Sequence, residues 1–180
     1  MRNLVYQNEI LEFSPEQKIE IRKAISEAAK IIDLDFVEVV EENNQVGTLR
    51  FGQTTADASS GSAFAMSPAN SNAAAGDMWF ETEFFADHAL TQGQSSRFYT
   101  LLHELGHALS LKHTFEEDEF NPTTLPENLE FTNFTMMSYT HPDWKWYSGV
   151  DPSIFTLSNT CMVYDIQALQ YLYGTQCFLH

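Results

Sequence analysis

His103-Glu104-Leu105-Gly106-His107-Ala108-Leu109-Ser110-Leu111-Lys112-His113 is the stretch on which the reading of this chain turns. On an α-helix, residues four apart differ by only about 40° around the axis and lie one turn apart. His103 and His107 therefore project from the same face, spaced so that both imidazoles reach one tetrahedral Zn²⁺ at about 2.0–2.1 Å. Glu104, beside the first of them, can take a proton from a metal-bound water. On an unbroken helix His113 would lie roughly 15 Å further along the axis, so it joins the same ion only if the helix ends near Ser110 and the chain turns back. Three neutral histidines leave a fourth position open, which is the catalytic arrangement rather than the closed structural one. The competing reading is a set of helix-surface histidines. With six histidines and sixteen glutamates in 180 residues, chance supplies only about 6 × 10⁻⁴ such matches, so the metal reading is preferred.

Around this stretch the chain reads as one α+β domain. Ser14-Pro15-Glu16-Gln17 is a helix start, with Ser14 as N-cap, Pro15 at the first helical position and Gln17 closing a capping box. Ile21, Ala24, Ile25, Ala28 and Ile32 follow at helical spacing and predict an amphipathic helix over about 15–32. Phe36–Val40 and Val46–Phe51 are β-branched and strand-like, and Asp77–Phe80 is a short strand between turn signals. From Thr54 to Gly76 the chain is rich in Ala, Ser, Gly and Asn, with one apolar patch at Ala63–Met66. A helix from Arg97 carries Leu101, Leu102, Leu105, Ala108 and Leu109 into the histidine stretch. A long loop spans 114–135, in which Glu116-Glu117-Asp118-Glu119 reads as solvated. A last helix over about 161–173 stops at Gly174, a good residue for that position.

Composition narrows the function. Nine Lys and Arg face twenty-five Asp and Glu, for a net charge of −16. Nucleic acid is excluded as a partner, because a cationic face is needed to displace counterions from phosphates, and anionic membranes are disfavoured likewise. No stretch approaches the eighteen apolar residues of a membrane span. An acidic surface favours cationic peptides as encounter partners. Residues 1–20 lack the apolar core of a secretory signal, so export needs another route, or the chain begins inside a longer protein. Cys161 and Cys177 flank the last helix, and a bridge between them requires the tail to fold back.

The histidine stretch resembles the metzincin zinc signature HExxHxxGxxH, and Thr135-Met136-Met137-Ser138-Tyr139 resembles the Met-turn of that clan. Met-Ser-Tyr is similar to the serralysin family of secreted metalloendopeptidases rather than to the matrixins, although the chain is matrixin-like in size. Leu49–Gly52, Gly76–Phe80 and Tyr164–Gly174 agree in order. The resemblance implies a single catalytic domain over 1–180, with an N-terminal subdomain over 1–113 and a C-terminal one over 114–180. It implies a zincin fold: a twisted five-stranded mixed sheet with one antiparallel edge strand, an active-site helix and a C-terminal helix. It implies His103, His107 and His113 as zinc ligands, Glu104 as general base, and Met137 as the apolar floor beneath the metal. Tyr139 would be an additional zinc ligand at rest that swings away to stabilise the oxyanion. The implied activity is extracellular cleavage of protein or peptide substrates. Gly61–Met66 is the candidate edge strand along which an extended peptide adds by main-chain hydrogen bonds, the alternative being an exposed loop.

The sequence departs from this pattern at Ser110, where the family has glycine. Left-handed backbone geometry costs a residue with a Cβ about 1–2 kcal/mol, so a positive φ at Ser110 is the expected signature of the turn that brings His113 back. No Gly-Gly-x-Gly-x-Asp calcium repeats occur within the chain. Asp77, Glu81, Glu83 and Asp87 are candidate Ca²⁺ ligands, with solvated charges the simpler reading. His88, His141 and His180 are scattered; His88 and His141 read as loop or surface residues, although His141 is close enough to Tyr139 to line a specificity pocket. Two rival functions are carried forward: a zinc-binding protein of this fold that acts as a binding module without turnover, and a non-peptidase zinc hydrolase. An intact Glu104 argues against the first, since holding a metal does not need that carboxylate.

Overall fold

The structure is a computed structural model that describes residues 10–42, 46–55, 63–69, 72–82, 84, 94–119, 121–142 and 157–176. The first helix, α1 (Pro15–Ala29), begins as its sequence dictates. The Ser14 hydroxyl accepts from the Gln17 amide at 3.3 Å, and the Gln17 side-chain oxygen accepts from the Ser14 amide at 2.6 Å, closing the capping box. Ile21, Ala24 and Ala28 form its buried stripe. The small Ala24 and Ala28, one turn apart, let α1 lie against α2 (Gln94–Ala108), the helix that carries the first two histidines.

Four described strands form one mixed sheet: β1 (Ile10–Leu11), β2 (Arg50–Thr54), β3 (Ala63–Ala65) and β4 (Asp77–Glu81), in the order β1-β2-β4-β3. β2 and β4 are parallel, starting with Arg50 opposite Asp77. That pair is also an ion pair, Nε to Oδ1 at 2.6 Å, so charge and ladder begin in the same register. Gly76 leads into β4 at φ 81°, and a Cβ there would meet the Thr48 carbonyl oxygen at 2.3 Å. Only glycine fits this turn. The core between sheet and helices gathers Met78 and Phe80 of β4 with Leu101, Leu102 and Leu105 of α2 and Leu169 of α3 (Val163–Tyr173), each at most 2% exposed. Burial of side chains this size stabilises the fold by about 1.5–3 kcal/mol each. α3 is tied back at its far end: the Gln170 amide donates to the Ile31 carbonyl at 3.0 Å, and the Tyr173 hydroxyl donates to the Leu109 carbonyl at 3.1 Å.

Two expectations about the sheet are corrected. Five strands were expected and four are found among the described residues. Phe36–Val40 stays out of the ladder, with Val37 and Val40 each 77% exposed. Its β-branched composition gives it strand propensity, but propensity becomes a strand only against a paired neighbour. Both edges, not one, are antiparallel: β1 pairs with β2 and β3 pairs with β4 in that sense. The expected strand at Val46–Phe51 begins instead at Arg50. Gly61 of the expected edge strand lies outside the described residues, while Ala63–Ala65 is an edge strand as anticipated.

Candidate active site

The site is built where α2 ends. Ala108 is its last helical residue, and Ser110 follows at φ 70°. The Ser110 amide donates to the His107 carbonyl at 3.0 Å, and the Leu111 amide reaches back to the Gly106 carbonyl at 2.9 Å. These two bonds, five-to-two and six-to-one, are a Schellman closure with serine in the left-handed position normally held by glycine. The turn reverses the chain and returns His113 to the helix face it has just left. Ser110→Gly is therefore expected to relieve the left-handed strain. Part of the gain is lost because glycine is freer in the unfolded chain. A net gain of about 0.5–1 kcal/mol should raise Tm by about 1–3 °C. A lower Tm in calorimetry would contradict the strain assignment.

The three histidines meet at their Nε2 atoms. His103 and His107 are 3.2 Å apart, His103 and His113 3.2 Å, and His107 and His113 3.1 Å. The Nδ1 of His103 donates to the Met136 carbonyl at 2.7 Å, and that of His107 to the Leu111 carbonyl at 2.9 Å. A carbonyl only accepts, so both Nδ1 atoms carry the proton and both Nε2 lone pairs face inward. Converging lone pairs repel one another unless a cation sits between them. Tetrahedral zinc with bonds of about 2.0–2.1 Å would space its ligands by about 3.3 Å, close to the triangle found here. Burial lowers the His103 pKa to about 4 and lowers that of His107 too, with the neighbouring imidazoles adding to the effect. The residues present fit a metal ion. Among the described residues they are the only group of three His, Cys, Asp or Glu side chains close enough to hold one.

A second layer holds the triad from below. The Met136 carbonyl receives His103 and also the Tyr99 hydroxyl at 2.8 Å, whose proton is shared with the Ser138 carbonyl at 3.0 Å. Asp165, at the start of α3 and 2% exposed, accepts from the Thr135 hydroxyl at 2.6 Å and from the Met136 and Met162 amides at 2.8 Å each. Met136 and Met137 are each 1% exposed beneath the helix. They approach it at Gly106, where a Cβ would stand 2.7 Å from the Met137 sulfur and 2.9 Å from the Met136 methyl. The glycine inside the histidine stretch is thus the point of contact with the methionine turn. Tyr99, Asp165 and Gly106 were not singled out from sequence. Tyr99 and Asp165 join the site through partners 29 to 39 residues away, which no local pattern reveals.

Glu104 and Tyr139 complete the constellation. Glu104 is 6% exposed, and desolvation raises its pKa to about 7. The Tyr139 hydroxyl lies 2.7 Å from His113 Nε2, although the residue as a whole is 58% exposed. Its ring stacks on His103 at 5.4 Å between centroids. Burial, reinforced by the charges of Glu104 and Glu116, raises its pKa, so it stays a neutral phenol able to donate. Glu104, His107, His113 and Tyr139 line a cleft of about 760 Å³, walled by β3 on one side and by the loop after His113 on the other.

The remaining candidates separate. Asp77 is occupied by Arg50, Glu83 and Asp87 lie outside the described residues, and no acidic group that could hold a metal is found among those described. The calcium expectation is therefore without support. His141 is buried at 7% exposure, not a surface residue, and does not line the cleft. His88, His180 and Cys177 lie outside the described residues. Glu116 does not belong to a merely solvated run: it lines the cleft beside His113.

Comparison with known proteins agrees with this geometry. The family model described as Matrixin, a peptidase family, matches residues 4–132, a span that contains the sheet, α1, α2 and all three histidines. A search of curated proteins finds no significant match.

Proposed function

This chain belongs to the matrixin family of peptidases, and on that premise we propose that it is a zinc-dependent endopeptidase acting at the cleft beside His103, His107 and His113. The observation that carries the proposal is the convergence of the three Nε2 atoms, with Glu104 in the same cleft. Zinc bound there would supply Lewis-acid polarisation of the scissile carbonyl and acidify water. Glu104, one residue from the first ligand, takes the proton of the attacking water and returns it to the leaving amine. A carboxyl held near pH 7 by burial suits both halves of that transfer. β3 is an edge strand of the sheet among the described residues, which supports recognition of an extended substrate by main-chain hydrogen bonds. On the same reading 1–180 is one catalytic domain, and the likeness of Thr135–Tyr139 to secreted enzymes supports work outside the cell.

Within the clan, Thr135–Tyr139 supports a serralysin-type site. The Tyr139 phenol, 2.7 Å from His113 Nε2, is a donor for the oxyanion formed when water adds to the carbonyl. Tyr139→Phe tests the finer assignment. The expected result is zinc stoichiometry unchanged and kcat on a fluorogenic peptide reduced by about 10²-fold, with little change in KM. An unchanged kcat would remove Tyr139 from the chemistry and leave the family-level reading standing.

A further inference from the structure

Two of the three histidines have their Nδ1 protons fixed by backbone carbonyls; the third does not. His113 Nδ1 is buried and makes no hydrogen bond, yet the Oε1 of Glu116 lies 2.9 Å away, within ion-pair reach though not aligned as a hydrogen bond. We infer that Glu116 is a positioning residue for His113, its carboxylate serving as acceptor for the Nδ1–H, which stays on the ring, and so aiming the Nε2 lone pair at the ion. This rests on the zinc reading above and adds to it a residue outside the histidine stretch.

The need for such a residue follows from where His113 stands. His103 and His107 are held by α2, whereas His113 lies past the helix end, on a loop that does not fix its ring. The segment that follows supplies the missing constraints. Phe115 stacks on the His113 ring at 5.1 Å with the planes 7° apart, and the Thr114 amide donates to the Met137 carbonyl at 3.3 Å. The backbone of Glu116 is pinned in turn: its amide donates to the His113 carbonyl at 3.2 Å, and its carbonyl accepts from Lys112 Nζ at 2.6 Å. The same ammonium donates to the Asn121 carbonyl, closing the loop on itself. Glu116 is thereby delivered to His113 although its side chain is 52% exposed. Carboxylate partners of this kind orient ligand imidazoles and raise their basicity, and losing one typically costs 10–100-fold in metal affinity.

The experiment compares the full chain with Glu116→Ala and Glu116→Gln. Zn²⁺ affinity is measured by competition with a chelating indicator, and the visible spectrum of each Co²⁺-substituted form reports the ligand field. Glu116→Ala is expected to bind zinc about 10–100-fold more weakly, with a shifted cobalt spectrum and an unchanged metal-free Tm. Glu116→Gln, which keeps an acceptor oxygen at the same reach but no charge, is expected to recover most of the affinity. Wild-type affinity in Glu116→Ala would overturn the inference while leaving the zinc reading intact. So would a Glu116→Gln variant as weak as alanine, which would assign the effect to charge alone. A wild-type chain that failed to bind zinc stoichiometrically would overturn both.

Discussion

Glu104→Ala is expected to keep its zinc and to lose about 10²–10⁴-fold in kcat on peptide substrates. The carboxylate adjoins the ligands but is not one of the three converging groups, so removing it leaves the metal triangle whole. On the proposed mechanism, what is lost is the proton acceptor for the attacking water. The same residue gives a second signature in the metal-free protein. Its folded pKa is raised to about 7 by desolvation, above its unfolded value near 4.5. The folded chain therefore binds more protons than the unfolded chain between those values. The resulting stability is fully present below about pH 4.5 and is lost as pH rises through about 7. The loss amounts to at most about 3 kcal/mol. Glu104→Gln removes this titration, so metal-free wild type should lose stability relative to Glu104→Gln across that window in denaturant titrations. A stability difference that stayed flat with pH would contradict the burial assignment. A Glu104→Ala chain cleaving at the native rate would end the proposed mechanism.

The largest expected stability effect lies elsewhere, at Asp165. One buried carboxylate there accepts from Thr135, Met136 and Met162, joining the methionine turn to the first residues of α3. Burial raises its pKa and the three hydrogen bonds oppose that. Asp165→Ala leaves three donors without their acceptor, two of them on the turn whose Met136 carbonyl fixes His103. Each orphaned buried donor costs about 1–3 kcal/mol, with the sum less than additive. A total of about 3–5 kcal/mol, with Tm lower by about 10 °C, is the expected outcome in thermal unfolding. Asp165→Asn keeps one acceptor oxygen and should lose less. A loss below about 1 kcal/mol in Asp165→Ala would show that the turn is held by packing rather than by this carboxylate.

Much of the site was legible because its logic is local. The spacing of His103 and His107 follows from helix geometry, which also requires the chain to turn back if His113 is to join them; the positive φ found at Ser110 is the one that the resemblance, with glycine at that position, implies. The Ser14–Gln17 cap and the Gly174 stop are local for the same reason. What escaped the sequence is tertiary. Tyr99 and Asp165 meet Thr135, Met136 and Ser138 only once the fold brings together residues about 30 to 40 apart in the chain. Glu116 sits in an acidic run whose composition suggests solvent, and its backbone bonds to His113 and Lys112 bring it to His113. Phe36–Val40 failed the other way, having strand propensity without a paired neighbour. The Met-Ser-Tyr likeness to serralysins and the matrixin match over residues 4–132 also differ in reach, since the match ends before Thr135.

The central claim, peptide cleavage at the histidine triad, is most directly tested by mass-spectrometric profiling of products from a broad peptide library. The profile is taken with the purified chain as isolated, after chelation, and after zinc is restored. The account predicts internal cleavages that vanish on chelation and return with stoichiometric zinc. Stoichiometric zinc binding without cleavage anywhere in the library would contradict it, as would cleavage indifferent to the chelator.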